Sequence, residues 1–163
     1  MAVKKILQLG EQRLYTKSED VLKLEWETIK GIVDDLHDTL MDFRNNYNIG
    51  RAIAAPQIGV MKRIIYMNTG KSEVLINPKL IFPDAETMEI WDDCMSFPNL
   101  LVKVKRFKRC TVQYEDMQER QQVMQLEGDL SELVQHEYDH LDGILAIDRA
   151  IDKRSFALKS TVK

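Results

Sequence analysis

In the stretch QHEYDHLDG, His136 and His140 stand four residues apart with Glu137 beside the first of them. On a helix this spacing puts both imidazoles on one face. Two such imidazoles can hold a transition metal, and the adjacent carboxylate then reaches a water at an open coordination position. The bland alternative is a solvated helix face with two ordinary histidines. It is weakened because the chain has just one other histidine, His37, which reads as a surface or boundary residue of an earlier helix. A third protein ligand is still needed. No histidine follows His140, and Asp142, Asp148 and Asp152 come too soon after the helix to be compelling. The upstream candidate is Cys94 in WDDCMSFP, a small loop-like segment ahead of a strand pattern, where a thiolate would be presented at a sheet edge. Its alternative is a buried structural cysteine, which is the reading given to Cys110 inside CTVQY.

Several elements must position these residues. After Ser18, a candidate helix N-cap, apolar residues recur at Leu22, Trp26, Ile29, Ile32, Val33, Leu36, Leu40 and Phe43, which is helical spacing. The polar segment 44–48 ends that helix and Gly50 supplies a turn. Residues 52–57, broken by Pro56, form a small, tight stretch that lets backbone come close to something. From residue 63 the pattern becomes β-type, with strands expected at 63–67, 74–77, 100–106, 110–114 and 122–126. Asp129 followed by Glu132 resembles a capping box, so a second helix should open there, carry His136 and His140, and stop at Gly143. The expected architecture is α+β, with antiparallel strands around the histidine helix and a long N-terminal helix.

Length and composition bound the rest. A chain of 163 residues without repeats, linkers or low-complexity tracts is expected to form one domain, residues 1–163. Charged residues make up 30% with a net charge of -3, so no bulk field points to nucleic acid or membrane. The basic run 103–109 alternates with apolar residues and reads as a strand face. No signal peptide or spanning segment is apparent and there are only two cysteines, so a cytoplasmic, reducing location is expected. A monomer is the default.

Taken together, GRAIAAPQ at 50–57, DDCMS at 92–96 and HEYDH at 136–140 resemble, in order, the GxGxAAPQ, EGCxS and HExDH motifs of the peptide deformylases. The segment LINP at 75–78 and the closing HLDGILAIDR are also family-like, so the resemblance covers nearly the whole chain. It implies a deformylase-like fold and a hydrolase that removes the N-formyl group of formyl-methionine from newly made polypeptides, releasing formate. Cys94, His136 and His140 would hold one divalent metal, commonly Fe2+, with Zn2+, Ni2+ or Co2+ as substitutes. Glu137 would be the base, with the side-chain amide of Gln57 and the backbone N–H of Met95 stabilising the oxyanion. Without the other two motifs, Gln57 would read as a turn cap after Pro56. The partners implied are N-formylated nascent peptides, at the ribosome in so far as the family works there.

The chain departs from the family at places where substrate passes. Asp92 and Asp93 replace the Glu-Gly pair, Ala52 replaces the second glycine, and Arg51 precedes it. Gly50, Arg51, Ala52 and Asp93 are therefore the expected substrate-binding positions, and Asp92 is expected to pair with Arg106. These departures leave two other readings open: the same machinery acting on a different N-formyl or N-acyl compound, and a metal-binding relative without turnover.

Overall fold

The long helix α1, Trp26–Tyr47, buries Ile29, Leu36, Leu40 and Phe43 along one stripe. That stripe packs on Ile53, Ile64, Tyr66 and Ile76 to make one apolar cluster of the core. The computed structural model in which it is seen describes residues 2–162. α1 begins later than the sequence pattern implied. Ser18 is not its cap but is buried, and its backbone N–H donates to the Leu141 carbonyl at 2.8 Å. A 3-10 turn, Lys23–Glu25, leads into the helix instead, with the Leu22 N–H donating to Glu25 Oε2 at 2.8 Å. At the other end Asn48 takes a left-handed conformation, φ 58, and its N–H caps the Arg44 carbonyl.

Among the described residues eight strands follow: β1 Ala52–Ala54, β2 Ile64–Asn68, β3 Ser72–Ile81, β4 Thr87–Asp93, β5 Leu100–Phe107, β6 Arg109–Glu115, β7 Gln121–Glu127 and β8 Phe156–Leu158. They make a five-stranded sheet in the order β1-β2-β3-β6-β7 and a three-stranded sheet in the order β4-β5-β8. Every pairing of these strands is antiparallel. The five expected strands are present, mostly a residue or more longer. Three others were not anticipated. β1 is buried at all three positions and so has no alternation to read, while β8 is only three residues long. β4 corrects the reading of 91–93 as loop: Trp91, Asp92 and Asp93 continue a strand paired with β5, and Cys94 follows its last residue.

Helix α2, Asp129–Leu141, lies against β1, β7 and β5 and is buried on most of its circumference. Its cap is Gly128 at φ 62 without a side-chain hydrogen bond, so the expected capping box of Asp129 and Glu132 does not form. Glu132 is instead paired with Arg51. Gly143 does end the helix region, at φ 70, with its N–H 3.2 Å from the His140 carbonyl. A Cβ there would sit 2.5 Å from the Tyr15 carbonyl oxygen, so both conformation and space demand glycine. Among the described residues no helix is long and apolar enough to cross a membrane.

Candidate active site and metal centre

β4 and α2 bring the chemistry together. Register pairing of Asp92 with Val102 and of Asp93 with Leu101 delivers the chain at Cys94 into the space in front of α2. A turn closed by the Phe97 N–H on the Cys94 carbonyl, 3.0 Å, then fixes the thiol. One side-chain donor from each of Cys94, His136 and His140 lies within 4.8 Å of the others, and all three residues are buried. Cys94 Sγ is 3.3 Å from His140 Nε2 and 3.5 Å from the Ser96 backbone nitrogen, which donates to it. One sulfur and two imidazole nitrogens converging on a point, with nothing acidic among them, is a donor set suited to a borderline or soft divalent metal. The residues therefore fit the metal that the sequence implies.

The surroundings of these donors are charged and buried. Asp92 sets one oxygen 2.8 Å from His136 Nδ1 and takes a 2.9 Å hydrogen bond from Arg106 Nη2 on the other. The expected pairing of Asp92 with Arg106 is thus present. Arg106 also bonds through Nη1 to Asp139, which in turn holds Arg149 at 2.6 and 2.7 Å. Burial alone would raise the Asp92 carboxyl, but His136 and Arg106 outweigh it and hold it at about 2. Burial likewise opposes charge on His136, yet the Asp92 carboxylate and the Cys94 sulfur keep that imidazole well above its ordinary range. His140, desolvated and next to His136, is pushed well below it. A cation bound by these donors competes with their protons.

Glu137 is 4% exposed, and its Oε2 is buried without a hydrogen-bond partner among the described residues. Burial pushes its carboxyl up to about 7. Gln57, 1% exposed on the 3-10 turn Ala55–Ile58, accepts the Ala54 N–H on Oε1 at 3.0 Å. Its Nε2 faces Ser96 Oγ at 3.3 Å and Cys94 Sγ at 3.7 Å. The turn-capping reading and the site reading of Gln57 are therefore compatible: the oxygen caps, and the amide N–H2 points at the cysteine. Met95 is buried beside it, and its carbonyl takes a 3.4 Å bond from Gln8 Nε2.

A cavity of about 330 Å³ opens in front of these groups. Gly50, Arg51, Ala52 and Asp93 line it together with Gln57, Cys94, Met95, His136 and Glu137, while His140 lies behind. Gly50 holds φ 117 with α1 so close that a Cβ would meet Leu40 at 3.3 Å, and Arg44 Nε donates to its carbonyl at 3.0 Å. Asp93 does not hang free beside the cysteine but pairs with Lys159 at 2.8 Å. Arg51 pairs with Glu132 across the cavity wall at 3.1 Å. The sequence reading did not single out Glu132, Ser96, Asp139 or Arg149 as site residues. Glu132 had one signal: it stands four residues before His136 and so on its face of α2.

Residues 3–156 match the polypeptide deformylase family. A peptide deformylase of Pseudothermotoga lettingae is 39% identical over 158 residues, covering 96% of this chain and 88% of that protein. The crystal structure of peptide deformylase from Thermotoga maritima superposes with a TM-score of 0.85 at 30% identity, covering 93% of this chain and all of that one. A Met-Ala-Ser-bound class I type b peptide deformylase from Acinetobacter baumannii gives a TM-score of 0.82 at 28% identity, covering 91% and 98%. With a family match over most of its length, and with that fold and motif order, the chain belongs to the polypeptide deformylase family.

Proposed function

We propose that the protein hydrolyses the N-formyl group of formylated peptides, releasing formate and a free amino terminus, with Cys94, His136 and His140 as its metal ligands. The observation that carries this reading is the convergence of those three donors below a cavity that also holds Glu137 and the Gln57 amide. A divalent metal in that position supplies Lewis acidity toward water and the formyl oxygen. Glu137 takes the proton of the attacking water and passes it to the departing nitrogen. A carboxyl near 7 is suited to both halves of that exchange, since it is a competent base and, once protonated, a competent acid. Gln57 Nε2 and the Met95 backbone N–H donate to the developing oxyanion. Because Gln57 Oε1 is held by the Ala54 N–H, the amide cannot flip without losing a buried bond. Asp92, backed by Arg106, fixes the orientation of the His136 ring.

The substrate class is formyl-methionyl peptides. Met-Ala-Ser, named for the Acinetobacter baumannii structure, is the product that deformylation of such a peptide would leave. The family resemblance points to Fe2+ as the bound metal, and one thiolate with two imidazoles can hold Zn2+, Ni2+ or Co2+ in the same place. The working context is a monomer in the cytoplasm, acting on formylated chains as they leave the ribosome. The experiment is formate release from formyl-Met-Ala-Ser by protein handled without oxygen, before and after chelation. Activity that is lost on chelation and restored by Fe2+ supports the reading. No formate before chelation, or an undiminished rate after metal is stripped, overturns it.

A further inference from the structure

The cavity lining is mixed: Phe43, Ile49 and Leu133 are apolar, while Arg51 and Glu132 form an ion pair. Glu132 stands one helical turn before His136 on the same face of α2, about 6 Å along the axis. The pair lines the same cavity as Glu137, so it is within reach of an unbranched side chain on a formylated residue seated beside Glu137. Only one N–H of the Arg51 guanidinium is used: among the described residues its other donors have no hydrogen-bond partner, and the side chain is 44% exposed. Glu132 is 11% exposed at its side chain, so filling the cavity removes the remaining water from a nearly buried charge.

Resting on the deformylase reading above, we propose that Arg51 and Glu132 determine specificity by giving the pocket a polar end. Beyond formyl-methionine, the pocket also takes formylated residues whose unbranched side chain carries a hydrogen-bond acceptor near its tip, such as an amide oxygen or a sulfoxide. A hydrocarbon side chain of equal length is disfavoured, because it dehydrates the guanidinium without replacing the lost bonds. A thioether lies between the two, its sulfur being a weak acceptor.

The test compares kcat/KM for formyl-glutaminyl, formyl-methionyl and formyl-norleucyl versions of one tripeptide. Two proteins are assayed: the parent and the double variant Arg51→Leu, Glu132→Leu. Both residues are changed together because removing Arg51 alone would leave the nearly buried Glu132 charge unpaired. The parent is expected to cleave the glutaminyl peptide at least as well as the norleucyl one. The double variant is expected to lower the glutaminyl-to-norleucyl ratio by about tenfold or more. A ratio that is the same in both proteins overturns the proposal while leaving the deformylase reading intact. So does a parent that prefers norleucine to glutamine by more than about tenfold, a measurement that needs no variant to fold. Absence of formate from every peptide, formyl-methionyl included, overturns both readings.

Discussion

At Glu137 the proposed roles of metal ligand and catalytic base fall on different side chains. Its carboxylate is next in sequence to His136, yet it is not among the converging donors, and one of its oxygens is buried without a partner. Glu137→Gln keeps the shape and removes the proton acceptor. It should retain about one metal per chain while formate release falls by at least about a hundredfold. Cys94→Ala should do the reverse at the first step, losing the metal along with turnover. Metal analysis and formate assays on the same preparations decide between these outcomes. Near-parental turnover in Glu137→Gln, or stoichiometric metal in Cys94→Ala, would show that the roles are misassigned. The positions of His136, Glu137 and His140 were readable because helical spacing alone fixes a shared face. The Arg51–Glu132 pair was not, since its members lie 81 residues apart and meet only when β1 packs on α2.

Elements make the residues effective. β5 presents Arg106 inward, 3% exposed, where it joins Asp92 at the end of β4 to Asp139 on α2. The neighbouring Lys108 pairs with Glu86 on the surface. Arg106→Ala would leave two buried carboxylates without their common partner and should cost about 3–5 kcal/mol. Lys108→Ala should cost less than about 1 kcal/mol. Urea unfolding of the two variants, with metal retention measured alongside, tests the contrast, and equal losses would reduce Arg106 to an ordinary strand residue. The end of α2 gives a second test. At Gly143 a methyl group meets the Tyr15 carbonyl in a left-handed conformation, so Gly143→Ala should destabilise by about 1–3 kcal/mol. An unchanged unfolding midpoint would show that the turn relaxes freely. Strand legibility followed burial pattern. β2, β3, β5, β6 and β7 were visible as β-type runs, whereas β4 carries Glu89, Asp92 and Asp93, whose charge masks its alternation until its pairing with β5 is seen. Ser18 misled for another reason: its backbone N–H, not the hydroxyl that suits it to capping, joins the N-terminal segment to the end of α2.

On the scale of the whole molecule, the first residues tie the site's separate parts to one another. The Ala2 and Lys4 N–H groups bond to Asp35 and Thr39 on α1, at 2.8 and 2.9 Å. The Leu7 N–H then donates to the Gln57 carbonyl at 2.8 Å, and the Leu9 N–H to the Ser96 carbonyl at 2.9 Å. One extended segment thus links the long helix, the turn that carries Gln57 and the loop that carries Cys94. Nothing in the local sequence signalled this, because a lone extended stretch that bonds to two loops has no periodicity of its own. Leu7 anchors it, 3% exposed, in a cluster that includes Cys94, Phe97 and Leu145. Leu7→Ala should therefore cost about 2–5 kcal/mol through the cavity it leaves. It should also speed metal loss to a chelator, since the same cluster packs around the cysteine. Leu24→Ala, at a position 83% exposed, should stay within about 0.5 kcal/mol of the parent with an unchanged rate of metal loss. Chelator-challenge kinetics on both variants separate the two effects of Leu7. Destabilisation without faster metal loss would mean that the segment supports the fold but not the site, and no destabilisation at all would mean that it is not anchored as the structure shows.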